Sequence, residues 1–160
     1  MQMVLAQIGA KPSSRDSLDQ VVSMYLQRCS QFAKCQEHSF RSEDALFEWV
    51  DRQQRRSPAV IVVLDSRGRQ MTSEVFAEWL GRQRDTSAQQ IVFSIGPADG
   101  WSMAARKRAN LLLSLGPMTL AHSLARWSLP NRSIVPSQSL PAIRIMPGTK
   151  SPISVREDNF

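Results

Sequence analysis

Three segments of this chain could hold a ligand against bare backbone. Leu64 precedes the loop DSRGR, Gly96 lies in SIGPADGW, and Gly116 lies in SLGPMTL. A strand that ends at glycine offers N–H and C=O groups with no Cβ in front of them, so a flat, largely apolar ligand can lie close. The glycine spacing matches neither G-x-G-x-x-G nor a Walker-type loop, so no phosphate cradle is implied. Glycine in such a place also serves as a plain turn. Further along, His122 and Arg126 stand four apart. The histidine could assist proton removal or act as a hydrogen-bonding scaffold; the arginine could meet a phosphate or face solvent. The run Arg106, Lys107, Arg108, with Arg82 and Arg84, could supply phosphate contacts to RNA, and a solvated helix face accounts for it equally well. Trp49 and Trp79 fall on apolar helix faces and read as core. Trp101 follows a loop and is the tryptophan to test for stacking on a base. Cys29 and Cys35 have no partners at metal-binding spacing and read as reduced, structural cysteines; no metal is expected.

Something must position these loops. Residues 3–8 (MVLAQI) predict a short buried strand. A helix follows, with Ser13 or Ser14 as N-cap and Leu18, Val21, Val22, Tyr25, Leu26, Cys29 and Phe32 on its apolar face. Residues 35–40 suit an edge strand. Ser42 caps a second helix that packs through Ala45, Leu46, Trp49 and Val50. The run AVIVVLD (59–65) is apolar on both faces, which suits a parallel strand covered on each side. After a turn at SRGRQ, a helix over about 72–84 packs through Val75, Phe76, Trp79 and Leu80. Strand 90–96, helix WSMAARKRA and strand 110–116 complete an alternation that predicts an α/β fold with a mostly parallel sheet.

The totals set bounds. The chain has 160 residues, 42% of them hydrophobic, enough for one domain with a core or one domain plus a tail. Its longest apolar run is 59–64, far short of the ~20 residues that span a bilayer. With no basic leader at the N-terminus, the expectation is a cytoplasmic protein without a membrane partner. Net charge is +6, and residues 1–126 carry +4, a mild excess that suits a polyanionic partner without demanding one.

In their order and spacing, VVLDSRGRQMTSEVFAEWL, IVFSIGPADGW and LSLGPMTLAHSLAR resemble the ribosomal RNA large subunit methyltransferase H family, of the SPOUT class, over residues 3–126. The resemblance implies a trefoil-knotted α/β domain and a homodimer. It also implies S-adenosyl-L-methionine as cofactor and methylation at N3 of a pseudouridine in 23S rRNA. Leu64 matches the family's strand-end leucine, and Gly96 the first glycine of its I-G-G loop. Leu115, Gly116, Pro117, Met118, Thr119 and Leu120 match the loop that wraps the cofactor. His122 and Arg126 match the His and Arg of L-P-H-x-x-x-R. Two positions depart: Pro97 replaces a second glycine and removes an N–H donor, and Ala121 replaces a proline. One rival reading is a non-catalytic RNA- or ribosome-binding remnant of the same family. Another, a nucleotide-binding protein of a different family, is disfavoured by the absent phosphate-loop spacing.

From Trp127 the pattern collapses. Five of nine prolines fall in residues 127–160 and no helical or alternating period survives, so this segment reads as an irregular tail behind a domain of 1–126. The family continues past Arg126 with an apolar helix containing Tyr-Arg, and ends near Pro-Tyr-His. Synonymous codons chosen for residues 126–150 and read one base out of register encode VVLAEQIYR, then AFTILAGHPYHAGH and a stop. The tail is therefore read as an out-of-frame translation, with the knot incomplete and the chain impaired in cofactor binding and activity.

Overall fold

The computed structural model describes residues 1–9, 17–54, 58–86 and 88–116. Five strands form one parallel sheet: β1 (Gln2–Ile8), β2 (Lys34–Phe40), β3 (Ala59–Gln70), β4 (Gln90–Ile95) and β5 (Leu111–Ser114), in the order β2-β1-β4-β3-β5. Every residue of β4 is buried, Gln90 and Ser94 included, as befits a central strand covered on both faces. The edge position expected for 35–40 is observed in β2.

Four helices cover the two faces: α1 (Ser17–Cys29), α2 (Glu43–Gln54), α3 (Ser73–Asp85) and α4 (Met103–Arg108). Successive strand residues point to opposite faces. Val4, Ala6, Ile61, Val63 and Val92 therefore meet Leu46, Phe47 and Val50 of α2 and Ala105 of α4. Leu5, Val62, Ile91, Phe93 and Ile95 meet Val22 of α1 and Phe76 of α3. Caps set the helix starts. Ser42 Oγ accepts from the Ala45 N–H, Thr72 Oγ1 from that of Val75, and Ser102 Oγ from that of Ala105. Trp79 stacks on Phe76, and Trp49 lies against His38 and Phe40, so both behave as packing residues.

Two expectations need correction. The first helix stops at Cys29 rather than running through Phe32. The Phe32 N–H bonds to the Cys29 carbonyl, a tightened final turn, and the ring is 39% exposed. The proposed caps Ser13 and Ser14 lie outside the described residues. The second correction concerns SRGRQ, which is not simply a turn. Both Leu64 and Arg69 pair with Leu113 of β5, so residues 65–68 bulge out and the strand then resumes beside β5. Polar sequence hides this pairing, because an edge strand beyond a bulge has no apolar period to show.

Gly68 makes the return possible. A Cβ there would lie 2.6 Å from the Leu112 carbonyl carbon and 2.7 Å from the Leu113 nitrogen, both backbone atoms that cannot swing aside. Gly68→Ala should cost about 1–3 kcal/mol by forcing β3 off β5. Gly81→Ala is the matched control: its Cβ meets nothing within 4 Å on α3, so alanine should stabilise by about 0.5–1 kcal/mol. Urea denaturation of the two variants should move the midpoint in opposite directions.

Candidate functional site

The β3 bulge and the carboxyl ends of β4 and β5 lie side by side, and together with the loops that follow β4 and β5 they enclose a cavity of about 340 Å³. That is within the range of small-molecule sites, roughly 300–1,000 Å³. Leu64, Gly96, Leu115 and Gly116 all line it, so four of the eight positions singled out for cofactor binding come together. Pro117, Met118, Thr119 and Leu120 lie outside the described residues, as do His122, Arg126 and the whole of 127–160, and with them the expected knot.

The site is braced from below. Trp101 Nε1 donates to the Leu64 carbonyl at 2.8 Å, tying the loop after β4 to the β3 bulge. The indole is 5% exposed and packs on Phe47. It is a strut under the pocket, which corrects its reading as a base-stacking residue. Gly96 sits directly against it: a Cβ there would fall 2.7 Å from Trp101 Nε1 and Cε2. The glycine that sequence suggested for ligand approach is thus also required by the protein itself. Pro97 opens a turn closed by the Gly100 N–H bonding to the Pro97 carbonyl, with Gly100 at φ +82°. Gly116 differs in kind, because among the described residues nothing lies within 4 Å of where its Cβ would stand. Its carbonyl accepts from Ser114 Oγ at 2.8 Å.

Charge at the rim is largely committed. Arg106 Nε donates to Asp65 Oδ2 at 2.6 Å, with the aspartate side chain 5% exposed, and Asp65 Oδ1 accepts from the Arg67 N–H. Burial opposes ionisation of Asp65. The Arg106 and Arg67 hydrogen bonds and the two guanidinium charges outweigh it and hold the carboxyl below its usual range. Arg108 bonds to Asp51 and lies over the Phe47 ring. Of the run proposed for RNA contact, Arg106 and Arg108 thus have acidic partners inside the chain, while Lys107 is exposed. Sequence reasoning missed Asp65, Arg67 and Arg106 as pocket residues. The polar DSRGR loop was the available signal, but the Asp65–Arg106 pairing spans 41 positions.

A depressed carboxyl pKa in the folded state stabilises fully above the unfolded value, ~3.9, and that contribution fades as pH falls through the folded pKa. Asp65→Asn should lower stability at pH 7 by about 1.5–3 kcal/mol, the range for hydrogen bonds to charged groups. The gap to the unsubstituted protein should then narrow below about pH 4 as Asp65 itself protonates. Urea titrations at pH 7 and pH 3 read this directly; a gap that stays constant would remove Asp65 from the acid response.

No helix among the described residues is long and apolar enough to cross a membrane, and none of their His, Cys, Asp and Glu side chains cluster in a group able to hold a metal ion.

The family model described as "Predicted SPOUT methyltransferase" matches residues 1–130. The ribosomal RNA large subunit methyltransferase H of Koribacter versatilis is 39% identical over 126 residues, 79% of this chain and 84% of that protein. The protein of the same name from Rhodospirillum centenum is 49% identical over 71 residues, 44% of this chain and 47% of that one. That from Brucella anthropi is 44% identical over 68 residues, 42% of each. The solved SpoU methyltransferase AviRb of Streptomyces viridochromogenes, in complex with AdoMet, superposes with a TM-score of 0.48 at 15% identity, covering 82% of this chain and 56% of that one. A family match over most of the chain and a relative of such identity and coverage make this protein a SPOUT methyltransferase of the ribosomal RNA large subunit methyltransferase H family.

Proposed function

We propose that the protein's reaction is methyl transfer from S-adenosyl-L-methionine to N3 of a pseudouridine in 23S rRNA of the large ribosomal subunit. In this reading it works as a homodimer in the cytoplasm, with residues 1–126 forming the methyltransferase domain. The observation that carries this reading is the meeting of Leu64, Gly96, Leu115 and Gly116 in one cavity beside three adjacent parallel strands, at the bulge of β3 and the ends of β4 and β5. The residues suit an adenosyl group. Apolar Leu64, Ile95, Leu113 and Leu115 offer a surface for a flat ring beside the backbone of Gly96 and Gly116.

When bound, the cofactor supplies an electrophilic methyl group on a sulfonium. Leu64 and Leu115 exclude water, while the Trp101 strut and the Asp65–Arg106 pair fix the β3 bulge and the loop after β4 before any ligand arrives. Such preorganisation is what an in-line displacement needs most, because alignment at near-attack distance carries much of the rate. His122 is the candidate for assisting loss of the N3 proton, and Arg126 and Lys107 for phosphate contacts. Similarity to ribosomal RNA large subunit methyltransferases supports the ribosomal RNA substrate.

The test is transfer of a radiolabelled methyl group to large subunits that lack the modification, followed by mapping of the labelled base. The reading requires label at N3 of one pseudouridine from a chain whose reading frame is restored after Arg126. Label on another base would overturn the substrate assignment, and no label from the restored chain would overturn the reaction.

A further inference from the structure

Arg82, Arg84, Arg106 and Arg108 each have an acidic partner within the chain. Arg67 and Arg69 differ. Both are exposed on the polar stretch of β3, one on each side of Gly68. Among the described residues, neither guanidinium has an ion pair or a hydrogen bond. Arg67 lines the cavity and Arg69 does not, so the two cations form a short track that starts at the pocket and leaves it along β3.

The backbone beneath this track is firmly held. Asp65 Oδ1 accepts from the Arg67 N–H at 2.9 Å, and Asp65 Oδ2 is taken by Arg106. Gly68 lies against the backbone of Leu112 and Leu113, and Arg69 resumes the pairing with Leu113. The two arginines therefore stand on fixed backbone, with long side chains that nothing inside the described fold engages.

The charges around the cavity are divided by side. Asp65 and Arg106 neutralise each other. That leaves Arg67 on the β3 side and exposed Asp99 on the loop after β4. A polyanion is drawn to the first and turned away from the second. A lone carboxylate, such as the one a cofactor's amino-acid part carries, would need only the cation in the cavity and would give Arg69 no role. A chain of phosphates uses both. Guanidinium meets a phosphate through two parallel N–H···O bonds, and such contacts fix a protein's register on a nucleic acid without reading its sequence.

We infer that Arg67 and Arg69 are positioning residues for the RNA substrate: they hold phosphates of the strand that carries the target base, so that the base enters the cavity from the β3 side. This rests on the RNA methyltransferase reading above. Their contribution is to RNA affinity and register, with cofactor binding left to the rest of the pocket.

The experiment measures binding of the full chain to large ribosomal subunits lacking the modification, between about 50 and 200 mM salt. S-adenosyl-L-methionine is titrated separately by calorimetry. Arg67→Gln and Arg69→Gln, both at exposed positions, should each weaken subunit binding at least about fivefold at the low-salt end. Each should also flatten the slope of log affinity against log salt by about 0.7–0.9, the contribution of one phosphate. Cofactor affinity should stay unchanged. Arg67→Lys keeps the charge but loses the paired bonds, so it should recover the slope and only part of the affinity. Lys34→Gln removes the same charge at the start of β2, beside Gln2 and at the opposite end of the sheet from the cavity, and should change neither quantity. Unchanged slopes in both arginine variants, or an equal loss in Lys34→Gln, would overturn the inference and leave the RNA reading standing. A fall in cofactor affinity with Arg67→Gln would make the cofactor carboxylate its partner and overturn it as well. If the unsubstituted chain shows no salt-sensitive binding to the subunits, the RNA reading itself fails, and this inference with it.

Discussion

Trp101→Ala should destabilise the protein by about 3–5 kcal/mol, the range for removing a large aromatic from a core. The position gives no hint of this on the chain. Trp101 stands between a glycine turn and a short helix, outside any periodic run, yet its indole is 5% exposed and reaches across to Phe47. Its Nε1 hydrogen bond to the Leu64 carbonyl joins two of the three loops that make the pocket. Trp101→Phe separates the two roles. It keeps most of the packing and removes the donor, so it should cost about 0.5–1.5 kcal/mol, with the loops around Gly96 and Leu64 freed to shift. Denaturant unfolding of both variants measures the split. A loss under about 1 kcal/mol for Trp101→Ala would mean the ring is not seated in the core.

What the sequence disclosed and what it hid follow from the range of the interactions involved. Strand runs such as AVIVVLD and QIVFSI announce themselves because burial on both faces demands a largely apolar run, with Gln90 and Ser94 the buried polar exceptions in the second. Helix starts at Ser42 and Thr72 are readable because a cap is a contact three residues long. Gly96 does follow a strand end, although the reason it is glycine includes an indole five residues on, whereas Leu64 stands at a bulge inside β3 rather than at its end. The bulge at 65–68 was invisible, since it depends on Gly68 meeting the backbone of a strand more than forty residues later. Charges misled for the same reason. Arg106, Lys107 and Arg108 look alike in a row, but the fold buries Asp65 beside the first and sets Asp51 and Phe47 against the third. A basic run is a surface by default only until its distant partners are known.

Restoring the reading frame after Arg126 should raise affinity for S-adenosyl-L-methionine by at least about tenfold, and methyl transfer with it. The family's apolar helix would follow Arg126, six residues beyond the Leu115–Leu120 loop, which supplies six of the eight proposed cofactor positions. A helix that seats this loop in the free protein spares binding the entropy of ordering it. Fixing even one loop residue in advance is worth roughly 1–2 kcal/mol, about the ~1.4 kcal/mol of a tenfold change. Stability should move as well. Burying about four large apolar side chains at ~1.5–3 kcal/mol each contributes roughly 6–12 kcal/mol before ordering costs, against a typical domain total of ~5–15 kcal/mol. Isothermal titration of the two chains side by side measures the affinity gap. Tight, stoichiometric binding by the chain with residues 127–160 as they stand would show that the pocket needs nothing beyond this tail. Codons in the gene that cannot be read as VVLAEQIYR in the shifted frame would remove the case for the repair itself.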